Sequence, residues 1–141
     1  MLLRVLFRCC LIVSLAWGAA VQFSYAETAI ASLAQIKQSI LEALRYDTTT
    51  IDVTATSVQI VVTVVNSDLN GSLVTHHERE TEAAEIVGAV AVTLAKSPEL
   101  AAIQAIHVDY VARQPGSTHS DVVDAIDFRR NPQGKFELHK T

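Results

Sequence analysis

The sequence predicts an α+β domain, a two-layer sandwich with two helices on one face of a mainly antiparallel sheet of four to five strands, in the order α-β-β-α-β-β-β. Three observations carry this. Apolar residues recur at helical spacing in two separate stretches, around Ile36 and around Ile86. Between them lies the densest β-branched run of the chain, Val58-Gln59-Ile60-Val61-Val62-Thr63-Val64-Val65, closed by the turn residues Asn66-Ser67-Asp68-Leu69-Asn70-Gly71. After the second helical stretch, apolar and polar residues alternate in further short segments, as half-buried strands do.

Taken in order, residues 28–45 read as the first helix. Leu33, Ile36, Ile40 and Leu44 form its stripe, widened by Ile30 and Leu41, while Gln35, Lys37, Gln38 and Glu42 take the wetter face. Tyr46, Asp47 and three threonines end it. Ile51-Asp52-Val53-Thr54-Ala55 alternates and pairs with the β-branched run across Thr56-Ser57, a hairpin without the Asn-Gly or Asp-Gly turn. In that run Val58, Ile60, Val62 and Val64 share one face, the floor under the helices. Gln59, Val61, Thr63 and Val65 share the other, which is mixed.

Thr75 with Glu78 fits a capping box at the start of the second helix, and Glu78, Glu80, Glu82 and Glu85 load its first turns with charge that suits the helix dipole. Ala83, Ile86, Val87, Val90 and Leu94 make its buried stripe, with Gly88 allowing a close approach to the sheet. Ser97-Pro98-Glu99 stops the helix and opens one further short turn. Strands follow at 103–113, 121–130 and 135–138, separated by a Pro115-Gly116 loop and by Asn131-Pro132-Gln133-Gly134, which has proline and glycine where a tight turn places them.

Residues 1–26 read as a cleaved secretory signal. Arg4 and Arg8 supply the positive start, 9–21 is a mostly apolar run, and Ser24-Tyr25-Ala26 puts small residues at the cleavage positions. A run this short falls below the about 20 residues a membrane-spanning helix needs, so no integral membrane segment is expected after cleavage. The remainder, 27–141, is expected to be one small domain, exported to the periplasm or secreted. Cys9 and Cys10 leave with the signal, so disulfides, thiol chemistry and thiolate metal sites are excluded from it. Removing the signal takes two arginines and no acid, making the domain more acidic than the formal net charge of −4 for the whole chain. That charge gives no reason to bind nucleic acid.

Chemistry-bearing residues are few. His76-His77-Glu78 begins like a metalloprotease helix, but Thr81 stands where that motif requires its second histidine. His76, His77 and Glu78 stay the candidates for a looser metal or small-ligand site, with His107, His119 or His139 as distant partners. Ser117, His119 and Asp121 contain triad residue types crowded into one loop, a spacing that does not supply triad geometry. No nucleophile elbow, phosphate-cradling loop or dinucleotide fingerprint is present. His107, Asp109 and Arg113 alternate onto the sheet face away from the helices, toward Asp127 and Arg129. Gln59, Val61, Thr63, Val65, His107, Asp109 and Val111 therefore define a candidate interaction face, greasier than a solvated face needs to be.

Ile40-Leu41-Glu42-Ala43-Leu44, the hairpin of 51–66, Glu82-Ala83-Ala84-Glu85-Ile86-Val87 and Ile106-His107-Val108 together resemble, in topology, the BON module of bacterial envelope proteins. Such modules usually carry glycines in and around the hairpin, where this chain has Ser57 and Val62, and the hairpin from Asp121 onward lies outside the pattern. The resemblance implies a periplasmic binding or adaptor module, sometimes linked to phospholipid, and carries over no catalytic residue. The expectation is a non-enzymatic exported domain without cofactor, acting on an unknown protein partner or on itself through the open sheet face or an edge strand. Metal or small-ligand binding is the alternative, and a hydrolytic enzyme ranks third.

Overall fold

Helix α1 covers residues 27–44 in the computed structural model, which describes residues 27–117 and 119–140. The signal sequence proposed for 1–26 lies outside the described residues. Ile36, Ile40 and Leu41 of α1 enter the core, and Leu33 and Leu44 pack at its margin. Ile30 does not widen the stripe as expected and is largely exposed. The buried line instead begins in the second turn with Ser32, whose hydroxyl donates to Glu99, and Ile30 is left to the side.

Strands β1 (Ile51–Ala55) and β2 (Gln59–Val65) form the expected hairpin, closed by Thr56 N–H donating to the Gln59 carbonyl at 2.8 Å. The floor is Ile60, Val62 and Val64, all fully buried. Val58 is not part of it: the strand starts one residue later and Val58 is 53% exposed. Its carbonyl accepts from Gln104 N–H at 2.7 Å, which holds the residue in the turn.

Helix α2 (His76–Leu94) carries the chain back across the sheet, so β3 (Ala105–Arg113) lies parallel to β2. A connection of this length with a helix in it permits a parallel neighbour where a two-residue turn cannot. β4 (Ser120–Arg130) and β5 (Phe136–Leu138) then add antiparallel, and the sheet order is β1-β2-β3-β4-β5. The capping box is present: Thr75 Oγ1 accepts from Glu78 N–H, and Glu78 Oε2 accepts from Thr75 N–H at 2.7 Å. The whole expected stripe, Ala83, Ile86, Val87, Val90 and Leu94, is buried.

Gly88 departs from expectation, since a Cβ there would meet nothing within 4 Å; it faces open space and makes no close approach to the sheet. Pro98–Leu100 form the short 3-10 turn after Ser97. In the last hairpin, Gly134 N–H donates to the Asn131 carbonyl at 2.9 Å with Gly134 at φ 83°, a left-handed conformation that glycine adopts without steric cost. Ile106, Val108 and Tyr110 of β3 are fully buried beside Ile126 and Phe128 of β4, completing one core between sheet and helices. Each such aliphatic or aromatic side chain contributes roughly 1.5–3 kcal/mol on burial. No described helix is long and apolar enough to cross a membrane.

Candidate functional site

Alternate residues of every strand face away from this core. Cα pairing across the sheet sets Val61, His107 and Asp127 in one row, Thr63, Asp109 and Ala125 in the next, and Val65, Val111 and Val122 in a third. The register thus brings Asp127 to His107, as the alternation of β3 and β4 suggested. Arg113 instead sits at the end of β3, where its backbone N–H donates to Asn66 Oδ1 at 2.7 Å.

Two expected face residues are less accessible than the sequence implied. Val65 is 8% and Val111 5% exposed. Their row is apolar on three adjacent strands, so Val111 is flanked on both sides, and Asn70 Nδ2 stitches the strands beneath by donating to the Val64 and Val111 carbonyls. The reachable apolar surface is Val61 together with Val122, which is 63% exposed, and Val123 beside it. A bulge between Tyr110 and Val111 throws Val122 and Val123 outward.

The polar centre of this face is His107. Its Nδ1 lies 2.7 Å from Asp127 Oδ1 and its Nε2 lies 2.9 Å from Asp109 Oδ1. Partial burial pulls the imidazole toward its neutral form, but the Asp127 hydrogen bond and both carboxylate charges outweigh it, so its pKa sits above the ordinary histidine value.

A second polar cluster joins the start of α2 to β4. Arg79 is 6% exposed, and its Nε donates to the Leu69 carbonyl at 2.8 Å and its Nη2 to the Gly71 carbonyl at 3.0 Å. Arg79 Nη1 and His76 Nδ1 both reach Asp124 Oδ2, at 3.4 and 2.8 Å. Burial opposes ionisation of Asp124, yet His76, the Ala125 N–H and Arg79 hold its carboxyl below the usual range. His76 is held above its own usual value, first by the Asp124 hydrogen bond. Neither the burial of Arg79 nor the inward turn of Asp124 was legible from composition, because both residue types ordinarily face water.

A third cluster lies on the helix side of the sheet. Tyr46 Oη donates to Glu82 Oε2, while Glu82 Oε1 is buried without a hydrogen-bond partner. Tyr110 Oη donates to the Arg79 carbonyl at 3.1 Å. Desolvation raises the Glu82 pKa despite the hydrogen bond from Tyr46 and the nearby Tyr110 hydroxyl. A carboxyl raised in the folded state contributes stability below its ordinary pKa, and that contribution is lost as pH rises through the folded value. Glu82→Gln should therefore raise the melting temperature at pH 7 and flatten its pH dependence above the ordinary carboxylate range. A lower melting temperature at pH 7, in scans from pH 4 to 8, would show instead that the charge is needed.

The metal candidates point in different directions. Glu78 is committed to the capping box, His77 is exposed with Glu80 at 3.4 Å, and His76 turns to Asp124. His76 and His139 both line an open cavity of about 440 Å³ with Glu80 and Asp127. Among the described residues no group of three or more His, Cys, Asp or Glu is placed to hold a metal ion. In the Ser117–His119–Asp121 loop, Ser117 Oγ accepts from the backbone N–H of His119 at 3.0 Å, while His119 Nε2 faces Asp121 at 3.1 Å, so the loop is knit within itself. No protein-family model, curated protein or solved structure matches the chain.

Proposed function

We propose that residues 27–141 form an exported, non-enzymatic binding domain that meets a protein partner, or a second copy of the chain, through the open sheet face. One observation carries this reading. Both helices lie on one side of the sheet, leaving the other side with half-buried Val61, exposed Val122 and Val123, and a polar cluster between them. Accessible apolar side chains flanking a polar cluster whose groups satisfy one another suit a contact surface. The edges support binding less well: β1 has five residues and β5 three, and the uncovered stretch of β4 at 120–126 is broken by a bulge. The topological resemblance to BON modules and the signal-like residues 1–26 point the same way, to an envelope adaptor.

The test compares wild type with Val61→Glu. Sedimentation over a range of concentrations reports self-association, and retention of a defined partner on immobilised protein reports binding. Wild type should associate in one of these and Val61→Glu should lose that association with an unchanged circular dichroism spectrum. A strict monomer that retains nothing, or a Val61→Glu variant that associates as well as wild type, rejects the reading.

A further inference from the structure

The two carboxylates at His107 impose a proton count. Ionised carboxylates only accept hydrogen bonds, and a neutral imidazole has one N–H. With Asp127 at Nδ1 and Asp109 at Nε2, both within hydrogen-bond distance, both ring nitrogens must donate, and only the imidazolium does so. We propose that the Asp109–His107–Asp127 cluster is a proton-operated switch of the open face, which presents its binding-competent charge only while the imidazole carries both protons. This rests on the reading of that face as a binding surface.

The titratable groups nearest the cluster follow β5: His139 and Lys140 line the cavity that Asp127, His76 and Glu80 also line, and the His139 N–H donates to the Asp127 carbonyl at 2.8 Å. On the β2 side the neighbours are Val61 and Thr63, both uncharged. Beyond them, on β1, Asp52 is engaged by Lys37 of α1 at 3.6 Å. On the other side Arg129 of β4 stands opposite Glu137 of β5, whose carboxylate accepts from Asn131 Nδ2 at 2.7 Å. Among the described residues no other cation is bonded to Asp109 or Asp127, so His107 alone neutralises the pair.

Protonated, the cluster carries one net negative charge and every polar atom of the imidazole is satisfied. When the proton leaves, a ring lone pair faces a carboxylate, one aspartate must turn away, and the cluster carries two negative charges beside Val61. A partner that covers the face then has to desolvate a free carboxylate, which is costly without compensation. Association through this face is therefore expected to weaken as pH rises through the His107 transition. By linkage, a covering partner of this kind favours uptake of the proton.

Imidazole nitrogen NMR on uniformly ¹⁵N-labelled protein tests the switch without any partner. Below its transition both His107 nitrogens should show the protonated signature, and the transition should lie above the ordinary histidine value. Asp109→Asn and Asp127→Asn should each move it to lower pH. The Val61 and Thr63 methyl resonances should follow the same transition in wild type and lose it in His107→Gln. A His107 transition at or below the ordinary histidine value, or methyl resonances that do not follow its titration, overturns the switch whatever the association behaviour. Where wild type associates, the affinity should fall several-fold across this transition and stay level in His107→Gln; the reverse result also overturns it. Absence of any association rejects the binding reading itself, and is recognised separately because the nitrogen signature is then unaffected.

Discussion

Arg79→Ala is expected to lower the unfolding free energy by about 3–5 kcal/mol, the range for breaking a buried ionic network from one side. Arg79 sits in the first turn of α2, where the helix dipole disfavours a cation. It is held there by three acceptors from two other elements: the Leu69 and Gly71 carbonyls of the β2–α2 connection, and Asp124 of β4. Removing the guanidinium takes the donor from the Leu69 carbonyl, leaves the Gly71 carbonyl to the Val74 N–H at 3.2 Å, and leaves Asp124 with His76 as its remaining ionic partner. Arg79→Lys should recover little, because an ammonium does not reproduce the fork that serves three directions at once. Urea denaturation, with the slope unchanged so that only the midpoint moves, is the measurement. A loss under about 1 kcal/mol, the scale of a solvent-exposed pair, would mean the network contributes no more than a surface ion pair.

That network also marks the limit of what a single sequence reveals. Strand and helix positions were legible because burial imposes a period: β1 begins and ends where alternation placed it, and all five stripe residues of α2 are buried. Deviations occur where a hydrogen bond rather than a period sets the local structure. Val58 is drawn into the turn by the N–H groups of Gln104 and Ala105, and the start of the buried line of α1 is set by Ser32 and Glu99 while Ile30 stays outside. The parallel pairing of β2 with β3 had a signal, a helix lying between two strands, although alternation alone is silent on strand direction.

The candidate site was legible to the same degree and for the same reason. Period two put His107, Asp109 and Asp127 on one face, and the register then made them neighbours. Period two says nothing about lateral shielding, so the burial of Val65 and Val111 became visible only when three strands aligned their valines. Period two does put Asp124 on the helix side, where the structure has it, but it does not say what pairs a carboxylate that is costly there alone. The pairing comes from α2, 45 residues away in sequence, and no local pattern encodes it.

Asp124→Ala is expected to have two separable effects, one on stability and one on association. The first is a loss of about 2–4 kcal/mol, below the cost of removing Arg79 because the guanidinium keeps its two carbonyl acceptors while its buried charge loses its counterion. The second concerns the outer edge of β4. Among the described residues β5 pairs only with Phe128–Arg130, so the stretch 120–126 has no strand beside it. An edge of that length with exposed Val122 and Val123 invites pairing with another chain. Asp124 blunts it by turning inward and accepting from the N–H of Ala125 at 2.9 Å, next to the bulge that twists the strand. Asp124→Asn keeps an oxygen for that N–H and loses only the charge. It should therefore be destabilised yet no more prone to edge association than its parent, whereas Asp124→Ala should associate in a concentration-dependent way. Both are best measured by sedimentation in a Val61→Glu background, which removes contact through the open face. If Asp124→Ala is destabilised but sediments as Asp124→Asn does, the carboxylate serves Arg79 alone and the edge is protected by the bulge. If the two differ as expected, one inward aspartate both anchors α2 and keeps the sheet from extending itself.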